Sequence, residues 1–131
     1  MNDTNTKYLM AKYRFARPEK DDTPMTNLLV FGYECGDGWF NLVNSMFAEL
    51  KDVKKPKEFK IIQLKEKYAE LRVYYVAGNN DIDEIISDYS AISRHTCELC
   101  GKPGRIKEIR GWFTTCCKEC EIKIKKDRVR K

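Results

Sequence analysis

Five of the chain's six cysteines fall between Thr96 and Cys120, in the stretch TCELCGKPGRIKEIRGWFTTCCKEC. Cys97 and Cys100 are separated by two residues and followed at once by Gly101, and Cys117 and Cys120 repeat the spacing after sixteen intervening residues. This is the pattern of a four-thiolate zinc site. A tight turn with two residues between cysteines aims both sulfurs at one tetrahedral ion, and a glycine lets the chain fold back beneath it. The expected ligands are Cys97, Cys100, Cys117 and Cys120, holding one structural zinc per chain. Catalytic zinc usually keeps three protein ligands and an open position for water, whereas four cysteines close the shell. Cys116 is the spare, because using it in place of Cys117 would lengthen the second spacing. His95, the single histidine, is an alternative ligand, and Cys35 reads as a small buried hydrophobe.

A second group of side chains is suited to binding. In QLKEK the two-residue period of a strand puts Gln63, Lys65 and Lys67 on one face, and in LRVYY it puts Arg72 and Tyr74 together. Pairing with those faces on the same side would gather two lysines, a guanidinium, an amide and a phenol. Such a patch suits a small anionic, nucleotide-like ligand, with Arg72 as a fork for phosphate or carboxylate and Tyr74 as a stacking surface. An ordinary solvated strand face is the alternative. Trp39 is placed with this ligand-binding set, although its helical spacing also reads as core. No P-loop, nucleophile elbow or H-E-x-x-H motif is present. With one histidine, neither a treble-clef nuclease nor a zinc deaminase centre can be assembled, so the sequence points away from an enzyme without excluding one.

The elements that must position these residues follow from periodicity. A short helix is expected around Tyr8 to Phe15, ended by Pro18. ECGDGWFNLVNSMFAEL predicts a helix with Asp37 as N-cap and Trp39, Val43, Met46, Phe47 and Leu50 along one face. EFKIIQL and LRVYYVA are rich in β-branched and aromatic residues and predict a hairpin turning near Tyr68 to Glu70, although the helix formers of LKEKYAEL leave a helix as the alternative there. A further helix is predicted after GNND, with Asp81 and Glu84 as a capping box and Ile82, Ile85, Ile86, Tyr89 and Ile92 on the face that covers the hairpin. The second cysteine pair is expected to open a helix, so that a knuckle, a short hairpin through Arg105 to Thr115 and a helix supply the ligands. That arrangement resembles the treble-clef class. The fold class is therefore α+β, a small hairpin-centred sheet with two packing helices and a C-terminal treble-clef-like zinc module. Residues 1–93 form the expected ligand-binding region and 94–131 the zinc module, packed as one unit.

Charge divides along the same line. From Arg94 onward there are 12 Lys and Arg against 5 Asp and Glu, while residues 1–93 carry 13 against 15. Four thiolates around one Zn²⁺ carry about −2, so part of the basic excess offsets the metal site, and a nucleic-acid footprint is the other reading. No apolar run approaches the roughly 20 residues needed to span a bilayer, and the N-terminal stretch has no signal-peptide core. A cytoplasmic protein without a membrane partner is expected, and nothing in the sequence sets its oligomeric state. In a reducing compartment clustered cysteines favour metal over disulfides.

The order ECGDGWF, QLKEKYAELRVYY, an isoleucine-rich acidic helix, CELCGKPG and GWFTTCCKEC resembles a group of small uncharacterised zinc-binding proteins of tailed bacteriophages and prophages. The resemblance covers residues 24–120. By match, Gly36, Asp37, Gly38, Trp39, Gln63, Lys65, Glu66, Lys67, Leu71, Arg72 and Tyr74 occupy the family's positions, and its last-pair cysteine aligns with Cys117. The family's Gly-Gly at the turn is Ala69-Glu70 here, which predicts a longer or differently shaped turn and leaves the pairing of Lys67 with Arg72 open. The resemblance implies a phage setting in the host cytoplasm, where accessory proteins often act on host defence, some by sequestering nucleotide signals. The leading expectation is a non-enzymatic binder of a nucleotide-like anion. The alternative is a nucleic-acid-binding protein that uses the basic C-terminal segment.

Overall fold

β1 (Lys60–Lys67) and β2 (Glu70–Val76) pair antiparallel and form the centre of the computed structural model, which describes residues 1–129. The hairpin reading holds and the helical alternative does not, because Ile61, Leu64 and Leu71 find a common buried face only as strands. An extra residue between Ile61 and Gln63 shifts the register, so Ile61 and Leu64 both reach the core although three positions apart. On the other edge of β1 the chain at Glu34 adds a parallel bridge, with Glu34 N–H donating to Leu64 O at 2.9 Å and Glu66 N–H donating to Glu34 O at 2.9 Å.

The turn corrects the expectation of a longer loop. Lys67 pairs with Glu70, leaving Tyr68 and Ala69 as a two-residue turn with φ of +52° and +67°. Positive φ costs a residue with a Cβ roughly 1–2 kcal/mol. Tertiary bonds hold it: Ala69 N–H donates to Glu66 Oε2 at 2.7 Å, and Ala69 O accepts from Thr115 Oγ1 at 2.6 Å. The register is thereby settled, with Arg72 opposite Lys65 and not Lys67.

α3 (Asn80–Ser93) packs against β2 and α2 (Phe40–Asp52) against α3, and the buried side chains of both helices share one core with the hairpin's inner face. α2 buries Val43, Met46, Phe47 and Leu50 as expected, each apolar side chain contributing on the order of 1.5–3 kcal/mol. Its start differs: Asp37–Trp39 form a 3₁₀ turn, and the Asp37 carboxylate accepts from Asn2 N–H at 2.7 Å and from Asn5 Nδ2 at 3.2 Å instead of capping α2. Those bonds hold the amino end of α1 (Asp3–Lys12), which begins earlier than its periodicity suggests because Asn2 caps it. For α3 the cap is Asn79, whose side chain accepts from Ile82 N–H at 2.9 Å, and not Asp81. Ile82 and Ile86 are buried, but Ile92 is exposed past the end of the hairpin contact. Its neighbour Ser93 is buried instead, and its hydroxyl accepts the Leu71 N–H at 3.0 Å.

β3 (Arg105–Ile109) and β4 (Trp112–Cys116) form a second antiparallel hairpin, and α4 (Lys118–Val129) follows. Arg130 and Lys131, the end of the basic tail, lie outside the described residues. Cys97, Ile109, Cys116 and Cys120 make a small second core under this module.

Candidate metal centre and hairpin face

Cys97 and Cys100 sit on a knuckle closed by two backbone bonds, Cys97 N–H to Lys102 O at 2.8 Å and Gly101 N–H to Cys97 O at 2.9 Å. Gly101 has φ +82°, a conformation that glycine adopts without a Cβ penalty. Cys117 and Cys120 stand at the start of α4, and Cys120 N–H points at Cys117 Sγ at 3.4 Å. The four sulfurs converge at separations of 3.6–3.9 Å. A tetrahedron with metal–sulfur bonds of about 2.3 Å has edges of about 3.8 Å, so the four thiols fit one metal ion. Burial opposes ionisation of Cys97, but backbone N–H groups of Cys100, Cys117 and Leu99 aimed at its sulfur outweigh it and bring the thiol down to about 7. Cys117 is lowered chiefly by the Cys120 N–H. Cys120 is held up, by burial first and then by the neighbouring sulfurs, and Cys100 is raised as well, so the sulfurs prepared as thiolates are one from each pair, Cys97 and Cys117. Cys116 is outside the cluster, buried at the end of β4, and His95 is exposed and takes no part in it. Cys35 is a buried thiol, pushed up to about 12 by burial.

The Gly36–Trp39 segment lies directly against this knuckle. Gly38 N–H donates to Glu98 O at 2.8 Å, Gly36 N–H to Glu98 Oε2 at 2.8 Å, and Trp39 Nε1–H to Thr96 O at 2.9 Å. A Cβ on Gly36 or Gly38 would fall within 3.0 Å of the backbone of Glu98 or Cys97. The glycines are there for close approach. Trp39 is fully buried and spends its N–H on this contact, so it is separated from the hairpin's outer face and leaves the ligand set.

The outer face of the hairpin does bring the other candidates together. Lys65 lies opposite Arg72 and Gln63 opposite Tyr74, with the Lys65 ammonium 5.8 Å from the Tyr74 ring centroid. Lys67 is exposed at the tip, and Tyr74 is 40% exposed. Glu70 lies between two guanidiniums, 3.7 Å from Arg72 Nε and 3.6 Å from Arg94 Nε. Arg72 Nε is buried without a hydrogen-bond partner among the described residues, although much of its side chain is exposed. With Arg94, which sequence reasoning did not include because it follows α3, four cations share this region with the carboxylates of Glu34 and Glu70. The region is net positive.

Among the described residues, no helix is long and apolar enough to cross a membrane. Comparison with protein-family models, curated proteins and solved structures gives no match, so the chemistry is read from the site itself.

Proposed function

We propose that this chain is a non-enzymatic binding protein, in which a treble-clef-like structural zinc site braces a β-hairpin whose outer face takes the phosphate of a nucleotide-like ligand. The supporting observation is the register that sets Lys65 against Arg72 and Gln63 against Tyr74. Two cations and an amide then face a phosphate while the phenol offers a ring to a base. Four thiols around one ion leave no open position for water, which favours a structural metal. In the phage setting that the sequence suggests, withholding a nucleotide from the host is a use for such a face.

Calorimetric titration with a dinucleotide tests the reading. Arg72→Ala or Lys65→Ala should weaken binding by roughly ten- to a hundredfold, the equivalent of losing a charge-assisted hydrogen bond of about 1.5–3 kcal/mol. Equal affinity in the wild type and both variants would remove the hairpin face as the site.

A second reading, nucleic-acid binding by the C-terminal module, draws on Lys118, Lys123 and Lys126, which are exposed on α4. Three other lysines of the module are already paired: Lys102 with Glu119, and Lys107 and Lys125 with Glu121, at 3.4, 2.7 and 2.8 Å. Removing the chain after Lys123 should lower DNA or RNA affinity and flatten its salt slope by about one unit per lost phosphate contact if this reading holds.

A further inference from the structure

Between the tips of the two hairpins lies a cavity of about 380 Å³, lined by Glu66, Tyr68, Glu98, Trp112 and Phe113. Its chemistry is the reverse of the hairpin's outer face. Glu66 and Glu98 are half-buried, and each carboxylate takes one backbone N–H, from Ala69 at 2.7 Å and from Gly36 at 2.8 Å. A carboxylate can accept about four hydrogen bonds, and among the described residues no lysine, arginine or histidine pairs with either one. The Met1 ammonium, which donates to Tyr33 O and Cys35 O, offsets part of the Glu98 charge, while burial and the neighbouring Glu66 hold the Glu98 carboxyl above its usual range. The Lys67 ammonium lies 5.9 Å from the Tyr68 ring centroid. The rim is aromatic and open: Tyr68 and Trp112 are each 69% exposed and Phe113 48%.

We propose that this cavity is a docking site for a basic side chain, arginine or lysine, presented by a partner polypeptide. Two carboxylates, neither paired with a basic side chain among the described residues, beside three aromatic rings form the surroundings in which ammonium and guanidinium groups are held, by charge and by the ring faces. Size agrees with a single side chain, since the volume is near the lower end of the roughly 300–1,000 Å³ typical of ligand cavities. Exposed Trp and Tyr around a charged floor are also the residue types that anchor protein interfaces, where the partner backbone covers the rings. In the second hairpin Glu108 stands across from Phe113, and Lys107, across from Thr114, is already paired with Glu121 at 2.7 Å. The site is independent of the proposed nucleotide face, being on another surface with the opposite charge preference.

Nuclear magnetic resonance of the zinc-loaded, ¹⁵N-labelled full chain tests it, because the two tryptophan indole N–H signals differ in place: Trp112 is on the rim and Trp39 is buried. A capped arginine-bearing peptide should shift the Trp112 signal and leave Trp39 unmoved, and a matched peptide with neutral citrulline should not. Glu66→Gln keeps an oxygen for the Ala69 N–H while removing the charge, and should weaken the arginine peptide by roughly tenfold. Trp112→Ala, followed through the backbone amide signals of Tyr68 and Phe113 because its own indole signal is gone, should do the same with unchanged zinc content. Equal binding of the citrulline peptide, an unweakened Glu66→Gln, or no shift at millimolar peptide would overturn the proposal. Tighter binding of tetramethylammonium than of the peptide would also overturn it, assigning the cavity to a small organic cation.

Discussion

Cys116 and Cys117 are neighbours in sequence with opposite fates: one ends β4 inside the small second core, and the other turns its sulfur to within 3.6 Å of Cys100 Sγ. Cys117→Ser should therefore reduce bound zinc, while Cys116→Ser should leave it stoichiometric and cost only some core packing, as metal analysis of the purified variants would report. The spacing of the cysteines made this set legible from sequence alone, because two residues between ligands is a local geometric requirement. Trp39 was not legible in the same way. Its periodicity fits core and its neighbours fit a site, and only the fold reveals that its N–H is consumed by Thr96. Glu66 and Glu98 stand thirty-two positions apart on different hairpin and knuckle elements, and no local pattern announces that they share a cavity.

Among elements, the two hairpins turn through the same kind of backbone with different residues. Tyr68-Ala69 adopts positive φ without glycine, whereas the second turn has Arg110 at +51° and Gly111 at +87°. Asparagine followed by glycine is the pair such a turn prefers. Arg110→Asn should raise thermal stability by on the order of 0.5–1 kcal/mol, a modest upward shift in Tm by differential scanning calorimetry. Gly111→Ala, which meets no atom within 4 Å, should lower it by about 1 kcal/mol through backbone strain alone. The hairpin at β1 and β2 was legible because β-branched and aromatic residues flank its turn. The turn's length was not, since the bonds that hold Tyr68 and Ala69 in positive φ come from Glu66 and from Thr115 in the other module. The same holds for the caps: Asp37 serves α1 across thirty-five positions and not the helix it precedes.

Across the whole molecule, the Gly36–Trp39 segment couples the cysteine knuckle to the helical layer, and the knuckle in turn supports the hairpin tip through Glu98 and Thr115. Gly38→Ala would drive a Cβ into the Cys97 and Glu98 backbone, which cannot give way as a flexible side chain would. It should destabilise the fold by about 1–3 kcal/mol and lower zinc retention under chelator challenge, as paired melting and metal-release measurements would detect. The overall class was legible from alternating periodicities, while the inter-module contact was foreshadowed only by two glycines around an aspartate. The nucleotide face and the structural metal can be weighed together by native mass spectrometry of the zinc-loaded wild type and Arg72→Ala, each mixed with a dinucleotide. The predicted spectrum is one zinc and one dinucleotide on the wild-type chain, and zinc alone on Arg72→Ala. A dinucleotide adduct of equal intensity on both proteins, or zinc-loaded wild type with none, would contradict the hairpin face as the binding site.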